Sequence, residues 1–279
     1  GSEMCIRDRA PVSALTITSD QLTAGAITLN GALTATLANT STISGVIANG
    51  GGGAANLVKA GNGTLTLSAS NTYTGTTAIN AGDLTVSGSL HDSTAVSIAS
   101  GADYNVNASD TVASIEGDGN IVLASSQTLT AGDANNKTLS GVISGAGNYI
   151  KAGSGIQTLS ASNTYTGTTQ VSAGTLTVSG SGRLSDSTAV TVDSGATYNV
   201  AVSDTVASIA GAGSITLGSN TLTSGGSDAS TTFSGVISGT NGNIIKLGSG
   251  ALTLSGANTY TGTTAINAGD LTVSGSLHD

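Results

Sequence analysis

The run Ser93 to Ile143 realigns on Ser187 to Ile237 without a gap, at an offset of 94 residues. Asn-Thr-Tyr-Thr-Gly-Thr-Thr begins at Asn71, Asn163 and Asn258, Ser-Gly-Val-Ile begins at Ser44, Ser140 and Ser234, and Asn71 to Asp92 returns unchanged as Asn258 to Asp279. A chain that repeats itself at this length folds as an array in which each unit stacks on its neighbour. The copies also control one another, because a residue needed for chemistry can be compared with its counterpart one copy on.

Inside the long repeat runs a shorter beat. Alternating apolar triplets start at Leu65, Leu84, Tyr104, Ile121 and Leu139. The step between them averages about 19 residues, so five units fill one long repeat. A second series, Ile79, Ile98 and Ile115, keeps similar spacing. Each triplet reads in-out-in, and Gly, Asn and Ser clusters between them supply the backbone conformations of sharp corners. A beat of this size predicts one coil of a parallel β-solenoid, about 14 coils of about 19 residues, stacked about 4.8 Å apart into a rod of roughly 65 to 70 Å. One coil buries four to six small aliphatic side chains at about 1.5 to 3 kcal/mol each. Ordering its backbone costs about 1 to 2 kcal/mol per residue, which is more. A lone coil is therefore unstable, and ladders to the coils above and below must close the gap.

The composition agrees. Glu, Lys, Arg and Gln together number 13 in 279 residues, so exposed helix surface has little to be made from. Thr, Val, Ile, Ser, Gly and Asn suit short strands and tight turns, and the class is all-β. Tandem immunoglobulin-like sandwiches also fit the long period. Their cores need larger side chains than a chain with no Trp and one Phe offers. A net charge of −9 argues against nucleic acid as a partner, and no run of 18 apolar residues spans a bilayer as a helix. Gly1 to Arg9 holds four charges and the only Met and Cys, Met4 and Cys5. It resembles an in-frame translation of a sequencing adapter. Residues 1–10 are accordingly expected to be non-native, and 11–279 to be a solenoid fragment truncated at both ends.

Lys59-Ala-Gly-Asn-Gly-Thr-Leu-Thr-Leu, then Asn71-Thr-Tyr-Thr-Gly-Thr-Thr, then Ala81-Gly-Asp-Leu resembles the autotransporter-associated β-strand repeat. Further copies run from Lys151 to Val178 and from Lys246 to Val273, and the full motif covers nearly a third of the chain. In the second copy, Gly155-Ile156-Gln157-Thr158-Leu159 has the first inward Leu replaced by Ile or shifted. The resemblance implies a right-handed parallel β-helix in the passenger of a Gram-negative type V secreted protein. It further implies a non-catalytic stalk or adhesin segment, extracellular or at the cell surface. Its partners would be an outer-membrane β-barrel translocator in the same full-length chain and a host-surface or glycan ligand.

The residues that mark the motif are expected to be structural: Lys59, Asn71, Tyr73, Gly75 and Gly82; Lys151, Asn163, Tyr165, Gly167 and Gly174; Lys246, Asn258, Tyr260, Gly262 and Gly269. The asparagines read as turn residues whose amides satisfy nearby backbone. The tyrosines read as corner residues with their hydroxyls in water, and the lysines as solvated charges. No enzyme is expected, and no cofactor or metal. His91-Asp92 has Ser185-Asp186 as its counterpart, which argues against a metal ligand. Of Asp103, Asp110, Glu116 and Asp118, only Asp110 persists in the next copy, as Asp204, which argues against calcium. No Gly-x-Ser-x-Gly elbow or phosphate loop is present. A β-helical polysaccharide-active enzyme remains the alternative reading beside the sandwich modules.

Overall fold

The computed structural model describes the backbone of residues 3–6, 9–19 and 21–277, and side chains from residues 14–19 and 22–277. Among the described residues there are 34 strands, most of them short, and no helix. Every strand pair with a defined register is parallel, which excludes antiparallel sandwich modules. The chain is a β-solenoid of about 13 coils, in two compact units, Gly1–Ala131 and Gly132–Asp279.

In the first unit one face stacks Gln21–Ala24, Ser41–Ile43, Thr64–Leu67, Gly82–Val86, Ala102–Val106 and Asn120–Leu123. A second face stacks Ile27–Leu37, Asn56–Ala60, Thr77–Ile79, Ala95–Ile98 and Ser114–Gly117. A third carries Asp110–Val112 on Thr128–Ala131. Inward residues form ladders one coil apart: Leu65, Leu84, Tyr104 and Ile121 are in register and fully buried. On the second face Ile79 stacks on Ile98, but Ile98 meets Gly117, so Ile115 belongs to the neighbouring ladder with Val96.

The second unit has three faces with longer ladders. Face I stacks Lys137–Leu139, Ile156–Leu159, Thr175–Val178, Thr197–Val200, Ser214–Thr216 and Val236–Ser238. Face II stacks Asn148–Lys151, Thr169–Val171, Ala189–Val192, Ser208–Gly211, Thr231–Phe233, Leu252–Leu254 and Leu271–Val273. Face III stacks Asp204–Val206, Thr221–Ser224, Asn243–Lys246 and Thr264–Ile266. On face I, Thr158 pairs with Thr177, Thr177 with Asn199, Asn199 with Thr216 and Thr216 with Ser238, which is four coils. The coil is thus slightly longer than the beat of the apolar triplets, and this lowers the count from the expected 14. The second copy keeps its register: Gln157, 2% exposed, points inward under Leu176, and Ile156 points out. The missing inward Leu is therefore replaced by Gln, and not by Ile or a shift.

Glu3–Ile6 pairs with Gln21–Ala24, and Arg9–Ser19 with Ile27–Leu37. An open sheet edge pairs through backbone groups whatever the sequence, so residues 3–6 and 9–10 are extended here although the composition of this segment sets it apart.

Candidate functional site, the corners of the repeat

The sequence places the motif lysines in solvent; the structure places them inside. Lys59, Lys151 and Lys246 are at most 1% exposed. Each stem stands in an aliphatic ladder; Lys59 lies in register with Ile79. The stem buries its methylenes, and the ammonium reaches the corner where the chain turns. There Lys59 Nζ donates to the carbonyls of Ala60 (3.2 Å), Gly61 (2.7 Å) and, one coil on, Ala81 (2.8 Å). Lys151 donates likewise to Ala152, Gly153 and Ala173, and Lys246 to Leu247, Gly248 and Ala268. Three carbonyls match the three donors of an ammonium. Burial lowers the pKa of Lys59 and Lys151, and the carboxylates of Asp83 and Asp133 oppose that shift.

Asn71 ties three successive coils. Its Oδ1 accepts from Ile47 N (3.0 Å) on the coil before, and its Nδ2 donates to Ala69 O (3.0 Å) on its own coil and Ser89 O (2.9 Å) on the next. Asn163 repeats this with Ile143, Ala161 and Arg183, and Asn258 with Ile237, Gly256 and Ser276. Gly75, Gly167 and Gly262 lie where backbones touch: a Cβ on Gly75 would sit 2.2 Å from Ala55 O. Gly82, Gly174 and Gly269 have φ of 61°, 63° and 65°, the left-handed turn glycine adopts without strain.

The tyrosine hydroxyls are not in water. Tyr73 and Tyr165 are fully buried and Tyr260 is 3% exposed. Each hydroxyl meets the threonine four residues on: Thr77 (2.6 Å), Thr169 (2.5 Å) and Thr264 (2.7 Å). Burial raises the pKa of all three.

Two elements escaped the sequence reading. Asn56, Asn148 and Asn243 stand three residues before each lysine, and each Oδ1 accepts both the N–H and the hydroxyl of Thr76, Thr168 or Thr263. That fixed Asn-x-x-Lys spacing was the available signal. The second is a buried Tyr–Asp pair. Tyr104 Oη donates to Asp110 Oδ2 (2.7 Å), whose oxygens also accept from the N–H groups of Leu90 and Thr111. Tyr198 donates to Asp204, which takes Leu184 N and Thr205 N. Burial pushes both carboxyl pKa values up to about 6, against the lowering effect of these hydrogen bonds. Persistence of Asp110 as Asp204 was the sequence trace of this pair.

The remaining polar groups do not converge. Asp103 holds Asn120, and His91 Nδ1 meets the hydroxyl of Ser93 at 2.9 Å. Among the described residues no three His, Cys, Asp or Glu side chains gather.

These corners define a parallel β-solenoid closed by a recurring internal cassette of Asn, Lys, Asn, Tyr and Gly. A family model, the passenger-associated-transport-repeat, matches residues 57–86, 150–178 and 244–273, which take in the lysine, the second asparagine, the tyrosine and the glycines of each cassette. Each match runs from the lysine strand to the strand after the left-handed glycine. The chain is also similar to the Adhesin BmaC autotransporter of Brucella suis biovar 1 (strain 1330), with 35% identity over 243 residues. The match covers 78% of this chain and 7% of that relative. No solved structure matches the chain.

Proposed function

We propose that the chain is a non-catalytic structural segment of an autotransporter passenger, a stalk or adhesin portion displayed at the surface of a Gram-negative bacterium. A β-barrel translocator elsewhere in the full-length chain would carry it across the outer membrane. One observation carries this reading: the lysine, asparagine and tyrosine that mark every copy, Lys59, Asn71 and Tyr73 with their counterparts, point inward and close the corners, so what these residues preserve is the coil itself. The similarity to an adhesin supports it. Host-surface or glycan binding by the segment is the finer reading.

The test replaces residues 57–273 of the full-length protein with an unrelated parallel β-solenoid of equal coil number, then measures protease accessibility on intact cells and adhesion. Display and adhesion should both survive. Lost adhesion with display intact would make this segment the adhesive surface itself. Glycan cleavage by the purified segment would overturn the non-catalytic reading.

A further inference from the structure

The long repeat is not a whole number of coils. In the second unit, the lysine strand of the second motif copy, Asn148–Lys151, lies on face II, and its Leu strand, Ile156–Leu159, on face I. In the third copy the equivalent strands, Asn243–Lys246 and Leu252–Leu254, lie on faces III and II. Every element has moved by one face. Four pairing steps on face I lead from Thr158 to Ser238, and the equivalent Thr253 is reached only two faces further along the chain. One repeat is therefore four and two-thirds coils.

The cassette tolerates this. Lys151 and Lys246 make the same three carbonyl contacts on different faces, and Asn163 and Asn258 tie three coils in the same way. The corners are interchangeable, since each lock uses only its own coil and the coils beside it. The copies are also close enough in sequence to be joined without a scar: Asn163 and Asn258 are both followed by Thr-Tyr-Thr-Gly-Thr-Thr.

We propose that the repeat is a length-and-direction unit. Gain or loss of one copy leaves every lock intact, changes the solenoid by four and two-thirds coils, roughly 22 Å, and turns everything beyond it by a third of a turn. A site displayed beyond the array regains its original direction only after three copies. This follows from the coil geometry, whichever role the chain has.

The test deletes Thr164–Asn258, joining Asn163 to Thr259, in a chain whose sole cysteine is removed by Cys5→Ser. Thr158 normally pairs with Thr177, and Thr272 with Thr253. After the deletion, Thr272 should take the place of Thr177. A Thr158→Cys/Thr272→Cys pair should then cross-link in the shortened chain and not in the parent, with amide protection retained on both sides of the join. A control deletion of Leu159–Ser238 removes four whole coils but cuts Asn163, Tyr165 and Ala173 out of the second cassette; it should lose protection around Lys151. A chain with Thr164–Asn258 duplicated should remain protected throughout. Absence of the cross-link, loss of protection in both the one-copy deletion and the duplication, or equal protection in the control would each overturn the proposal.

Discussion

The buried Tyr–Asp pairs make the sharpest prediction, because their effect on stability runs opposite to that of an ordinary salt-bridged carboxylate. Asp110 and Asp204 have a folded-state pKa of about 6 against a reference of 3.8, raised chiefly by burial. The folded protein therefore holds more protons than the unfolded chain between about pH 4 and 6. Each pair's contribution is greatest below that window and is lost as pH rises through about 6. The full shift corresponds to about 3 kcal/mol per pair, of which about 2 kcal/mol falls between pH 7.5 and 4.5. Hydrogen exchange at the amides of Leu90, Thr111, Leu184 and Thr205, corrected for intrinsic rates, reads it locally. Protection should rise roughly 30-fold on going from pH 7.5 to 4.5. Asp110→Asn should flatten that response at Leu90 and Thr111 while leaving it at Leu184 and Thr205. Protection that falls toward pH 4.5, or a response unchanged in Asp110→Asn, would refute the assignment of these carboxyls as buried and proton-binding.

Four further outcomes follow from single side chains or pairs of them, each read by denaturant midpoint and local exchange. Lys151→Met keeps the apolar stem but leaves the carbonyls of Ala152, Gly153 and Ala173 without the ammonium, and should cost about 3 kcal/mol. Tyr149 is fully buried and its hydroxyl has no hydrogen-bond partner, so Tyr149→Phe should stabilise by about 1 to 2 kcal/mol. Tyr165→Phe, which removes the tyrosine hydroxyl from Thr169 and leaves it only Thr188 as a side-chain partner, should instead destabilise by about 1 kcal/mol. Restoring the pattern of the first copy with Ile156→Thr and Gln157→Leu should add about 1 to 2 kcal/mol, since Gln157 is buried where the first copy has Leu65.

Strand positions were legible in the sequence because the in-out-in triplets obey a local rule. Leu65, Leu84, Tyr104 and Ile121 stack as their spacing suggests. The phase of the repeat was not legible, because corners of unequal length carry the chain from face to face and no local pattern records their sum. The lysines misled for a different reason. Burying a charge usually calls for an opposite charge, and none stands beside them in sequence; the carbonyls that receive Lys59 are backbone groups that any residue carries. The tyrosine partner was in plain view as the last threonine of the heptapeptide. Its meaning depends on a turn that brings Thr77 back over Tyr73, and that turn is visible only in three dimensions.

The locks also have a direction in time. Lys59 reaches two carbonyls of its own corner at once, but its third, Ala81 O, lies a full coil further along. Asn71 reaches back to Ile47 and forward to Ser89. No cassette can complete its lock until the neighbouring coil has been laid against it, and that coil then fastens the cassette. For a chain laid down from one end a coil at a time, such a series would work as a ratchet. Backward slippage would have to reopen a finished lock and return its ammonium from a full set of carbonyls, while forward growth asks only for the next stretch of chain.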